Sequence, residues 1–240
     1  MTTIRLYAGV QPLYRASGLL LAASLFLSAC SLSESQPSVT PQPTESQAQS
    51  MGNPADSSSL DTPELDTTIV PGDRVGAVTA TTTYDDLVAL YGVDSLEPVE
   101  VHLGEGMVAP GTRVNQGAQS FSVVWTDESR TAVQSVRDFG VAWQVDPGIG
   151  VGTSLSELRE KLGEFELYGF GWDYGGTMIL DGTVLEPYKE NLILRLGSTV
   201  ENAGLTEQYQ SVMGEQLFPS DTPAFQEMEL AVREMIVRLN

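Results

Sequence analysis

The chain has 240 residues, 41% of them hydrophobic and 8% aromatic, with 12 Lys+Arg against 32 Asp+Glu, one Cys and one His. A formal charge of -20 and a pI near 4.1 exclude nucleic acid as a partner, because neutralising its backbone requires clustered Lys and Arg and none cluster here. The single His and single Cys exclude Ser-His-Asp and Cys-His catalysis unless His102 is the base, and exclude nearly every zinc constellation, so no cofactor is expected.

Met1 to Ser17 carry Arg5 and Arg15 and no acid, and the apolar run Leu19 to Leu27 follows. This order is that of a signal peptide. As a helix, Leu19 to Ala29 would reach about 16 Å, roughly half of what a membrane-spanning helix must cross. The run ends in Leu27-Ser28-Ala29-Cys30, which resembles the lipobox of bacterial lipoproteins. The resemblance implies removal of residues 1–29, diacylation of the Cys30 thiol and a third acyl chain, such as palmitate, on its new amino group. Two or three chains hold a protein on a bilayer where one does not. The expected location is the cell envelope, on the extracytoplasmic side. Ser31 stands where an Asp favours inner-membrane retention in some Gram-negative bacteria, which points to the outer membrane if the organism has one.

From Ser31 to Thr68 the chain holds nine Ser, five Thr, five Pro and four Gln among 38 residues, with no aromatic, Lys or Arg. With Cys30 it makes a lipidated, disordered tether over 30–68, whose coil dimension is about 35 Å. A globular α+β domain is expected over 69–240. Thr83 caps a helix from Tyr84 to Tyr91 that stops at Gly92, and Val99 to Leu103 alternates as a strand with His102 facing solvent. Phe121 to Trp125 and Val141 to Val145 also read as strands. Ser154 and Glu157 form a capping box for a helix ending at Gly163, and strands follow at Phe165 to Tyr168 and Asn191 to Leu196. Thr222-Pro223 opens an amphipathic C-terminal helix over about 222–239, expected to pack on the sheet. Its stripe is Phe225, Met228, Val232, Met235, Ile236 and Leu239, with Glu229/Arg233 and Glu234/Arg238 paired at i,i+4.

An internal repeat organises the domain into units of about 69–145 and 146–220. Pro71-Gly72-Asp73-Arg74-Val75-Gly76 and Pro147-Gly148-Ile149-Gly150-Val151-Gly152 share P-G-x-x-V-G, and Thr82 to Leu87 matches Thr153 to Leu158. Each copy runs on into a strand and a Gly-rich segment, Gly104-Glu105-Gly106 and Gly169 to Gly176. The helix-start pattern, clearest over Gly152 to Gly163, resembles the repeat of small envelope lipoproteins of the SmpA/OmlA (BamE) type and the tandem unit of β-lactamase inhibitory proteins. That resemblance implies a helix on an antiparallel sheet and a role in binding proteins without catalysis.

The Gly169 to Gly176 segment sets Phe170, Trp172, Asp173 and Tyr174 among glycines, which makes these four the candidate partner contacts, since Trp and Tyr are enriched at binding hot spots. A strand-turn segment with its aromatics in the core is the competing reading. No calcium-loop pattern occurs, and Gly148 to Gly152 lacks the Lys and the spacing of a phosphate loop. Two function classes remain. The first is a membrane-anchored, non-catalytic envelope lipoprotein that binds another envelope or extracellular protein. The alternative is a secreted carboxylate-dependent hydrolase or carbohydrate-binding domain using the many acids and the aromatics.

Overall fold

The computed structural model describes residues 65–201 and 203–240, so the expected signal peptide, the lipobox-like segment with Cys30 and most of the expected tether lie outside the described residues. In chain order the elements are β1 (Thr68–Val70), β2 (Arg74–Val75), β3 (Val78–Thr79), α1 (Tyr84–Tyr91), β4 (Leu96–Gly104), β5 (Met107–Val114), β6 (Phe121–Trp125), β7 (Val133–Arg137) and β8 (Gln144–Val145). They continue with α2 (Leu155–Leu162), β9 (Glu166–Tyr168), β10 (Leu192–Ser198), α3 (Glu207–Ser211), β11 (Leu217–Pro219), α4 (Pro223–Glu227) and β12 (Leu230–Arg238). The fold is α+β.

Both longer helices begin and end at the signals in their sequence. The Thr83 hydroxyl accepts from the Asp86 amide at 3.2 Å, and the Asp86 carboxylate accepts from the Thr83 amide at 2.9 Å. Ser154 and Glu157 repeat the exchange at 3.3 and 2.8 Å. The backbone and hydroxyl of Thr83 hold the Asp86 carboxyl below its usual pKa, and the hydroxyl and backbone of Ser154 do the same for Glu157. The two Pro-Gly segments also start side by side, because β1 lies parallel to β8 with Ile69 opposite Val145. While β8 joins β1 and β9 pairs with β11, strands from after both helices nevertheless share one six-stranded antiparallel sheet, in the order β10-β12-β7-β6-β5-β4. Its inner face carries Phe121, Val123, Val136, Leu194 and Val237 into a single core with Trp143 and Leu158. Aromatic edges lock this core, with Phe121 edge-on to Tyr91 at 5.5 Å and to Trp143 at 5.2 Å.

The expected C-terminal helix over 222–239 is not what forms. Only Pro223–Glu227 is helical; Glu229 takes a φ of 48°, and β12 then runs between β10 and β7. The cause is a β-bulge. Arg195 pairs with Glu234 but Leu196 pairs with Val232, which leaves Arg233 as an extra residue. That insertion stretches the spacing of buried residues from two to three between Val232 and Met235, the i,i+3 spacing of a helix. Beyond the bulge, Met235, Val237 and Leu239 alternate inward as a strand requires. Gly197 makes room for the bulge, since a Cβ there would sit 2.8 Å from Arg233 Cγ. The expected strand over Val141 to Val145 is also shorter, with only Gln144–Val145 paired and Val141 65% exposed.

The outer face of the sheet curls on itself. Three strand spacings of about 4.8 Å would put β7 and β4 about 14 Å apart in a flat sheet. Yet Arg137 Nη1 on β7 donates to His102 O on β4 at 3.0 Å. Gly111 is the point that permits this, because a Cβ there would meet Val101 Cγ2 at 2.6 Å and Val123 O at 3.0 Å. Replacing Gly111 with Ala is therefore expected to cost about 1–3 kcal/mol. Urea denaturation should show the fall as a lower midpoint at unchanged m-value.

Candidate functional site

The hairpin of β4 and β5 is longer than the sheet that supports it. β6 pairs with β5 only from Gly111 to Val114, so Met107 to Pro110 have β4 as their sole strand neighbour. The result is an arm projecting beyond the sheet, with Met107 54% and Val108 51% exposed at its end. Its tip is Gly104-Glu105-Gly106, all three at positive φ.

The arm tip meets the Gly169 to Gly176 loop. The Glu105 amide donates to Asp173 Oδ2 at 3.2 Å across 68 residues of sequence, and Tyr174 Oη donates to Glu105 Oε1 at 3.1 Å. The bond to Glu105 and its charge raise the Tyr174 phenol above its ordinary pKa. Trp172 is fixed by its own indole, which donates to Gly169 O at 2.9 Å, and it stands edge-on to Tyr168 at 5.5 Å and to Tyr174 at 5.4 Å. Leu217, 40% exposed, pairs across from Tyr168, and Met213, 39% exposed, lies over Gly171. These contacts join Leu217, Tyr168, Trp172 and Tyr174 into one apolar and aromatic band, tied through Asp173 and Tyr174 to Glu105 at the arm tip.

Of the four candidate contacts, Trp172, Asp173 and Tyr174 belong to this band. Phe170 does not. It is only 5% exposed, because its ring packs between Tyr209 at 5.5 Å and Phe225 at 6.1 Å. His102 is exposed on β4, and among the described residues no group of three or more His, Cys, Asp or Glu is placed to hold a metal ion. Reading the sequence missed Glu105 as a partner of the loop, and the exposed Met107 and Val108 beside it. The signal was present in Gly104-Glu105-Gly106, but nothing in it tells which distant segment the tip meets.

One carboxylate organises the ground beneath the band. Glu234 on β12 forms ion pairs with Arg137 on β7 and with Arg195 on β10, the latter at 2.6 Å. The expected Glu234/Arg238 and Glu229/Arg233 pairs are not formed, since a strand sends i and i+4 along the same face too far apart to meet. Arg195 also donates to Thr177 Oγ1 at 3.2 Å and lies over the Tyr174 ring at 5.5 Å. Arg137 holds the arm through His102 O.

No known protein family and no curated protein matches the chain. Among solved structures it is similar to the uncharacterized protein yfeY from Escherichia coli, at 16% identity and a TM-score of 0.40, over 70% of this chain and 97% of that one.

Removing the Glu234 carboxylate would leave two largely buried guanidiniums facing each other. Glu234→Ala is expected to lose about 2–4 kcal/mol, to be read by chemical denaturation. Because Arg195 would be released from its place over Tyr174, hydrogen exchange in residues 169–176 should rise with it.

Proposed function

We propose that this protein is a non-catalytic, lipid-anchored module of the bacterial envelope that captures another envelope or extracellular protein with the arm tip and the 169–176 loop. The observation that carries this reading is the meeting of two Gly-rich segments far apart in sequence. It brings Trp172 and Tyr174 to the tip of an arm whose next residues, Met107 and Val108, are exposed, on a chain of net charge -20. Rigid aromatics beside exposed apolar residues, with a charged rim, have the composition of an interface centre. Aromatics held by an indole hydrogen bond and edge contacts lose little further entropy on binding. The lipobox and the tether supply the other half of the reading, an anchor at Cys30 and a spacer that carries the domain away from the bilayer.

Affinity capture from solubilised envelopes with the lipidated full-length chain tests the surface. One dominant protein should be retained, and Trp172→Ala or Met107→Ser should each reduce its retention about tenfold or more while leaving thermal unfolding in place. Retention unchanged in both variants would remove the arm and loop from the reading. Saturable binding of a glycan by the wild-type chain, lost in Trp172→Ala, would favour the carbohydrate-binding alternative instead. The anchor is tested separately. Cys30→Ser should move the protein from the detergent-rich to the aqueous phase on Triton X-114 partitioning and abolish palmitate incorporation.

A further inference from the structure

The curl of the sheet leaves a cavity of about 340 Å³ on its outer face, where Arg113, Ser122 and Arg137 line it with Val99, Val101 and His102, and the acidic residues Glu100 and Asp138 also contribute to its wall. Arg113, Ser122 and Arg137 are directly opposite one another on β5, β6 and β7, so the two guanidiniums rise on either side of a buried serine. Their donors are not used up. Among the described residues Arg113 gives only its Nε, to Asn115 Oδ1 at 3.2 Å, and both terminal nitrogens are left over. Arg137 Nε is buried with no acceptor; the Asp138 carboxylate, 3.8 Å away, is beyond hydrogen-bond distance.

We propose that this cavity is a binding site for a small oxyanion, a carboxylate or phosphate group of a soluble molecule. A buried guanidinium N–H without an acceptor is costly, and an oxyanion between two planar forks satisfies several donors at once. The chain's net charge of -20 argues against a polyanion, which must neutralise many phosphates, but a single oxyanion needs only the donors of one cavity. Of the acids nearby, Asp138 stands 3.8 Å from Arg137 Nε, so a bound oxyanion must displace it as the nearest negative charge, and the others are turned elsewhere. Glu234 holds Arg137 and Arg195, Glu97 accepts from Asn115 Nδ2 at 3.4 Å, and alternation along β4 sends the Glu100 side chain to the other face from Val99 and Val101. The volume suits a small-molecule acid better than a peptide. This site is separate from the arm-and-loop surface and stands or falls independently of it.

Calorimetric titration of the full-length chain with citrate and with inorganic phosphate tests the site. At least one should bind saturably, and the one that binds at lower concentration identifies the group. Arg113→Gln should weaken that binding about tenfold or more, whereas Arg233→Gln, the same charge change at an exposed position on β12, should leave it within about twofold. If Arg113→Gln does not fold, Arg113→Lys, which keeps the charge and loses the planar fork, should weaken it several-fold. Saturation by neither anion, an equal loss in the Arg113 and Arg233 variants, or unchanged affinity in Arg113→Lys would overturn the assignment.

Discussion

The Glu234 carboxylate is the point at which the outer face of the sheet is tied together. It accepts from Arg137 and Arg195, so one residue on β12 spans the strands on both of its sides. Each arginine then reaches further. Arg137 holds the arched arm at His102 O, and Arg195 supports Tyr174 and Thr177 in the loop that meets the arm tip. Both halves of the proposed contact surface are thus referenced to the same carboxylate. A partly buried ion triad contributes little net stability against well-packed apolar residues, and its value here is positional. It fixes the register of β10 on β12 beside the bulge, and with it the side of the sheet on which Glu234 itself appears.

The local elements were legible wherever the chemistry that starts or stops them is local. Thr83 and Ser154 with their acids three residues on, and Gly92 and Gly163 after the last turn, are sufficient to place α1 and α2. Phe121 to Trp125 was readable as a strand, but its pattern reads as one buried face, whereas all five residues are buried because the strand lies inside the sheet with both faces covered. What stayed hidden depends on pairing. The bulge at Arg233 gives β12 the spacing of a helix, and only the presence of β10 and β7 on either side decides the matter. β5 was hidden because Pro110 and Gly111 interrupt its pattern, both being tolerated where the arm leaves β6 and the sheet bends.

The candidate contacts divide along the same line. A Gly-rich segment with Phe170, Trp172, Asp173 and Tyr174 can be recognised as a tight turn carrying aromatics, but which ring turns inward depends on what lies beneath. Phe170 finds Tyr209 and Phe225, and Trp172 finds Tyr168 and its own Gly169 carbonyl. The ion triad was invisible for a deeper reason, because its members come from three strands that are not adjacent in sequence. A helical reading of Glu234 supplied a plausible local partner, Arg238, and so concealed the need for a distant one.

The arm raises the question of why a partner would meet its end rather than add a strand to its side. On β4 the hydrogen-bonded pairs with β5 are the odd-numbered residues, as the bond from Asn115 N to Ser95 O sets the register, so the even-numbered residues turn their backbone outward. Pro98 occupies one of those positions and has no N–H to offer, and the His102 carbonyl is already taken by Arg137. Exposed Glu97 and Glu100 add charge along the same strand. An incoming strand would find a broken ladder on an acidic edge, the arrangement by which sheets resist pairing with other chains. The end of the arm is built differently, with Met107 and Val108 exposed and Glu105 bonded to the loop beneath. Edge protection and the exposed apolar tip together fit the proposed recognition by side chains at the arm's end better than extension of the sheet.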